Sequence, residues 1–295
     1  MDNRTEVRDF LVSRRARLSP AEAGVEPIMG RRRVAGLRRE EVARLAGVSV
    51  DYYTRVERGN LSGVSESVLD AIARALRLDG AEREHLYDLA RQANGSRARR
   101  SRRTREVPLR AELQHLLDAI TDAPAHITTT GMDVVAANAL GYALHSEMFH
   151  DPRRPANHSR YIFLDPRARD FYVDWEDIAD SNVGILRREA GRNPFDRRIS
   201  DLVGELSVQS EEFRTRWASH DVRHHYAGAK SFNHPVVGRL DLSFQAVELV
   251  GDPGYHLTIY PAAPGSPSHE ALRLLASWAA TETRAAATPE TADEA

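Results

Sequence analysis

The sequence predicts a multidomain protein, with an all-α N-terminal domain followed by an α+β domain built on an antiparallel sheet. Three observations predict it. A length of 295 residues suits about two domains. The formal charge of −2 hides a division: residues 1–110 hold 24 arginines against 16 acidic side chains, and the remainder is acidic by ten charges. The apolar pattern is helical through the first hundred residues and later mixes helices with alternating, strand-like runs.

The totals narrow the function classes. With 41% apolar and 28% charged residues the composition is that of a globular protein. No run of eighteen apolar residues is present, so no membrane partner is expected. The N-terminal segment lacks the apolar core of a secretory signal, and a cytoplasmic location is expected. There is no cysteine, which excludes disulfides and thiolate chemistry. The basic first part is suited to a polyanion and the acidic second part is not.

The first domain is expected over residues 1–95. Asn3 and Glu6 have capping-box spacing and open a helix to about Arg17. Residues 18–36 read as a loop. A second helix runs from about Arg38 to Ala46 and stops at Gly47. Ser49 is a natural N-cap for a third, to about Arg58. Ser65 caps a fourth, and Asp79 with Glu82 opens a fifth, to about Ala93. Residues 96–107 are arginine-rich and nearly free of apolar side chains, the composition of a linker. The second domain is expected over 108–281. It begins with one helix, then short strands on either side of Gly131 and Met132, then helices near 175–189, 199–206 and 211–219. Two alternating strands follow, "RLDLSF" and "YHLTIY", then a helix from Pro267. Residues 282–295 read as a disordered tail.

The third helix carries the chemistry. At 100° per residue, Val50, Asp51, Thr54, Arg55 and Arg58 fall within an arc of about 140°, while Tyr53 and Val56 point away and Tyr52 lies at the border. The inward side can pack on Val42, Leu45, Ala46 and Val48. This is helix-turn-helix geometry, whose second helix enters a DNA major groove. Val50, Asp51, Thr54 and Arg55 are therefore the candidate base contacts. Arg55 can fork onto guanine, Asp51 can accept from cytosine, and Thr54 can meet a thymine methyl. Arg31, Arg32, Arg33, Arg39, Ser49, Tyr52, Arg58 and Asn60 are the candidate phosphate contacts. A reader of this kind covers few base pairs, so a homodimer on a two-fold site is expected.

The segment "LRREEVARLAGVSVDYYTRVERGN" resembles the helix-turn-helix of Xre/Cro-type repressors, through Ala43, Gly47, Val48 and Ser49 and then Val56, Glu57 and Gly59. Arg39 stands where that family usually has glutamine. The resemblance implies that Glu57 pairs with an arginine of the first helix, Arg14 or Arg15. Further along, "FLDPRARDFYVDWEDIA", "LVGELSVQSEEFRTRWASHDVR", "FNHPVVGRLDLSFQAVEL" and "PGSPSHEALRLLASWA" resemble the ligand-binding domain of MmyB-like regulators. This implies a PAS-like fold with an apolar cavity for a fatty-acyl or similar ligand. Phe163, Trp175, Leu240, Leu242, Phe244, Leu257 and Ile259 are the candidate wall. Before Asn138, where many relatives have tryptophan, this chain has Ala137.

No catalytic residue, cofactor or metal site is expected. His220, Asp221, His224, His225 and His234 are clustered, but without the H-E-x-x-H spacing of a zinc helix. Asp174, Glu176, Asp177 and Asp180 read as a helix start and an exposed face. The reading is therefore a ligand-responsive, DNA-binding transcription regulator and not an enzyme. The alternative is a DNA-binding interaction module, antitoxin-like or an anti-activator, with no small-molecule ligand.

Overall fold

The computed structural model describes residues 3–25, 34–95, 109–149, 155–193, 196–219 and 227–287. The chain opens with α1 (Asn3–Arg17), α2 (Arg39–Ala46), α3 (Val50–Glu57), α4 (Glu66–Ala75) and α5 (Gly80–Gly95). All five helices expected from local signals are present. Glu41 accepts the Arg38 N–H at 2.6 Å at the start of α2, and Ser49 Oγ accepts the Tyr52 N–H at 3.1 Å at the start of α3. Between them Gly47 has φ +66°, a left-handed conformation that closes α2 and costs glycine nothing. The apolar residues of α1–α5 form one core containing Phe10, Leu11, Leu37, Tyr53, Val56, Ile72 and Leu86. Leu45, expected inside, is 38% exposed. It lies next to Arg44 on the outer side of a short helix whose inner stripe is filled by Val42, Ala43 and Ala46.

The chain continues through α6 (Ala111–Asp118), β1 (Ala125–Thr129), β2 (Val134–Ala137), α7 (Ala139–Leu144), α8 (His158–Leu164) and α9 (Arg167–Phe171). Then come α10 (Trp175–Arg192), α11 (Arg197–Gln209) and α12 (Glu211–Ala218), and finally β3 (Ala227–His234), β4 (Gly238–Glu248), β5 (Tyr255–Ile259) and α13 (Pro267–Ala287). The strands form one antiparallel sheet of order β2-β1-β5-β4-β3, so the domain is α+β as expected. The helix α13 runs to Ala287, so residues 282–287 of the expected tail are helical. Their alanine-rich composition favours continuing the helix.

The compact units cut across the linear boundaries. One contains Met1–Arg105 together with Asp180–His224, the other Glu106–Ala179 together with His225–Ala295. Most of α10 and all of α11 and α12 therefore belong with the N-terminal helices. The link within that unit is polar. Arg187 is fully buried and donates from Nη1 to Glu6 Oε1 at 2.5 Å. Its Nη2 donates to the Trp217 carbonyl, and its guanidinium lies 4.1 Å from the centre of the Trp217 ring. Arg192 adds bonds to Glu84 at 2.6 Å and Asp88 at 3.3 Å. Gly191 lies so close to the His85 ring that a Cβ there would come within 2.6 Å of it.

In the second unit, register sets the two faces of the sheet. Leu240, Leu242 and Phe244 share a face with their β3 partners Phe232, Lys230 and Gly228. Across β5 and β1 that face continues through Thr258 and His126. The larger core of the unit contains Leu240, Leu242, Phe244, Phe171, Trp175 and Tyr260. The opposite face carries Ile127 and Leu257, packed with Leu113 and Leu117 of α6. Asn138 locks the β2–α7 corner. Its Oδ1 accepts the N–H groups of Gly141 at 2.7 Å and Ala125 at 2.9 Å. Its Nδ2 donates to the carbonyls of Ile120 at 2.7 Å and Ala123 at 2.8 Å.

Candidate nucleic-acid interface and sensor core

Helix α3 presents the expected polar row. Tyr53, Val56 and Glu57 are buried, whereas Val50, Asp51 and Arg55 are exposed and Thr54 is half-buried. Val50 is 46% exposed, which leaves its side chain available to an approaching surface. The Arg55 guanidinium lies 4.8 Å from the centre of the Tyr52 ring. This stacking, between residues three apart on a helix, holds the arginine over the aromatic ring beside the row. The three-residue spacing was visible in the sequence, but the pairing was not foreseen.

Glu57 anchors the row from below. Its Oε1 accepts from Arg15 Nε at 2.8 Å, and its Oε2 accepts from Arg39 Nε. The partner implied on the first helix is thus Arg15, while Arg14 Nε lies 3.0 Å from Glu82. Arg39, a candidate phosphate contact, is 48% exposed and tethered through one nitrogen to Glu57. Ser49 uses its hydroxyl as the α3 cap, and the residue is exposed at the helix start. Arg58 is exposed and Asn60 half-buried, just past the end of α3. Gly59, at φ +90°, lets α1 approach: a Cβ there would lie 2.3 Å from the Arg4 carbonyl oxygen. Arg31, Arg32 and Arg33 lie outside the described residues.

The residues expected to wall a pocket are not all on one side. Leu240, Leu242, Phe244 and Trp175 belong to the larger core, and Phe163 packs against it. Leu257 belongs to the smaller core and Ile259 packs there, on the opposite face of the sheet. One face cannot hold both sets, because Leu257 pairs with Val247 and Ile259 with Gln245, one position out of step with Phe244. Alternation within each strand was readable, but the register between strands was not. The Trp175 Nε1 donates to the Ile162 carbonyl at 3.1 Å, and the Arg169 guanidinium lies 3.9 Å from the centre of its ring. An open cleft of about 550 Å³ lies elsewhere on this unit. It is lined by Glu147, Arg167, Arg169, Asp170, Phe171, Tyr172, Val173, Asn233 and Pro235, and by none of the seven expected wall residues.

The larger core encloses polar groups that the sequence did not reveal. His126, His145 and His158 are all buried, with ring centres 4.7–5.4 Å apart. Burial is the main force keeping all three imidazoles neutral, with the nearby Lys230 charge acting in the same direction. It pushes His145 down to about 3 and holds His126 and His158 well below the usual range. Ala137 pairs directly with His126 across β1 and β2, so the small residue at this position adjoins the cluster. Of the clustered histidines singled out earlier, His220, Asp221, His224 and His225 lie outside the described residues. His234 is structural: its Nε2 is 3.0 Å from the Ala143 carbonyl, and its Nδ1 accepts the Val236 N–H at 3.2 Å. Among the described residues no group of three or more His, Asp or Glu has the geometry to hold a metal ion. No helix among them is long and apolar enough to cross a membrane.

Comparison with known proteins agrees with this layout. Residues 28–86 match a helix-turn-helix domain, and residues 109–275 match the MmyB-like transcription regulator ligand binding domain. No curated protein matches the chain. These are the domains of a ligand-modulated transcription regulator and not those of an enzyme family. With more than half of its length in that match, the chain belongs to the MmyB-like transcription regulators.

Proposed function

We propose that the protein is a DNA-binding regulator that places α3 in the major groove as a dimer and answers to an apolar ligand, with long-chain fatty acids the leading class. The observation that carries the reading is the outward row of exposed Val50, Asp51 and Arg55 with half-buried Thr54, on a helix capped by Ser49 and pinned by Glu57. The fatty-acyl class rests on the family resemblance. The ligand wall is placed on the sheet face of Leu240, Leu242 and Phe244, with Trp175 and Phe163 beside it.

Arg55→Ala is expected to cost about 1–3 kcal/mol on the specific site and to relax preference at one base pair. Binding to the operator and to random duplex, measured side by side, checks this. An equal loss on both would make Arg55 a phosphate contact and move the reading face elsewhere.

The ligand half is tested by titrating delipidated protein with fatty acids of increasing chain length, with and without operator. A tenfold change in operator affinity corresponds to about 1.4 kcal/mol of coupling, and DNA must then change ligand affinity by the same factor. Binding that never shifts operator affinity would leave the ligand a structural filler. If no chain length binds, the ligand-free interaction module becomes the better account.

A further inference from the structure

We infer that the buried His126, His145 and His158 and the half-buried Lys230 form a receiving site for the carboxylate of an otherwise apolar ligand, on the sheet face that carries Phe244 and Tyr260. The inference rests on the ligand-binding reading above and specifies its polar end.

The geometry comes first. The three histidines arrive from β1, the end of α7 and the start of α8, and their rings lie within 5.4 Å of one another. The Nε2 of His158 is buried with no hydrogen-bond partner among the described residues, and the Nδ1 of His145 is buried with no well-aligned one, only the Gly141 backbone lying nearby. A buried polar atom in that state can be satisfied by a water or by a group of a bound ligand. The Tyr260 ring joins the histidines to the lysine. It lies 5.6 Å from His126 and 6.0 Å from His145, and 5.5 Å from the Lys230 ammonium. The same ammonium is 4.7 Å from the centre of the Phe244 ring. Lys230 is the only lysine in the protein, and it lies on the core-facing side of β3, paired with Leu242.

The charge balance gives the sign of the missing partner. Among the described residues no carboxylate contributes to the electrostatics of Lys230, His126, His145 or His158. Desolvation lowers the ammonium to about 8, and the lysine charge in turn disfavours protonation of all three imidazoles. Three buried imidazoles and a half-buried ammonium therefore adjoin one another with no carboxylate beside them among the described residues. A metal would fit worse: it would be repelled by the ammonium, and the rings lack metal-holding geometry. A single negative charge would accept hydrogen bonds from Lys230 and from imidazole N–H groups. The surrounding aromatic core suits an apolar remainder. A carboxylate matches this better than a phosphate, whose second charge would have only one permanent cation to meet.

The test uses the full-length, delipidated protein with tetradecanoic acid and its methyl ester. The acid is expected to bind at least about tenfold more tightly than the ester. In Lys230→Met the gap should close while ester affinity is unchanged, and in Lys230→Arg it should persist. Imidazole nitrogen-15 signals of His145 and His158 should shift with the acid and not with the ester. Circular dichroism of each variant shows whether it is folded. Equal wild-type affinity for acid and ester would overturn the carboxylate site and leave the apolar-ligand reading intact. A gap that survives both Lys230→Met and His158→Gln would also overturn it. Failure of both molecules, from decanoic to octadecanoic chain lengths, would overturn the ligand reading and this site with it.

Discussion

Arg187→Leu is expected to destabilise the protein by about 3–5 kcal/mol, the cost of breaking a buried ion pair from one side. Arg187 is fully buried, and Glu6, its partner at 2.5 Å, is nearly so. With the guanidinium gone, the carboxylate would be left against the buried ring of His85, whose Nε2 is 3.9 Å away. The Trp217 carbonyl and ring would lose their partner too. The double variant Glu6→Leu with Arg187→Leu is expected to recover most of the loss, because an apolar pair of similar volume avoids the stranded charge. Denaturant unfolding of the wild type, both single variants and the double variant gives the coupling directly. Additive losses in the double variant would mean that the two side chains contribute by packing alone.

Glu57→Ala is expected to cost about 3 kcal/mol, the lower end of the range for a buried pair. The Glu57 carboxylate is 1% exposed and serves two arginines. Arg15, at 14% exposure, would keep its bond to the Leu37 carbonyl at 2.8 Å but lose its counter-ion. Arg39 is half-exposed and can turn to water, which holds the penalty down. Operator affinity should fall as well, since Glu57 ties α1 to the end of α3. Glu57→Gln keeps the shape and an acceptor oxygen and should lose less. A cost under about 1 kcal/mol for Glu57→Ala would show that both arginines relax into solvent.

What the sequence made legible was mostly local. The bounds of α2, α3 and α5 fall where Gly47, Ser49 and the Asp79–Glu82 spacing place their caps, and those signals act within a few residues; Ser65 makes no cap bond to α4 and the Asn3 Oδ1 none to α1. The row on α3 followed from helical period alone. The pairing of Glu57 with Arg15 was legible through family resemblance. The strands β4 and β5 were visible by alternation, but their mutual register depends on partners far away in the chain. That is why Leu257 and Ile259 were grouped with residues that lie on the opposite face of the sheet. The helices α7, α8 and α9 are too short to show a period. The histidine cluster joins positions 126, 145 and 158, which share no spacing that a motif could capture. Arg187 resembled any surface arginine on an amphipathic helix, and only the fold makes it the largest fully buried side chain.

The separation between Glu6 and Arg187 also bears on how the protein is made. The two are 181 residues apart. At ordinary rates of synthesis, on the order of 5–20 residues per second, Glu6 leaves the ribosome roughly 10–40 seconds before its partner exists. Among the described residues the apolar core of α1–α5 draws on positions from Val7 to Ala93, so the N-terminal helices can close on one another during that interval. The Glu6 and His85 surface cannot. It stays hydrated on a nascent chain whose reading head is already assembled, until α10 emerges and supplies the guanidinium. Completion of the unit thus includes an electrostatic step that waits for α10, and for the Trp217 carbonyl on α12 after it, in the order in which the ribosome delivers the chain.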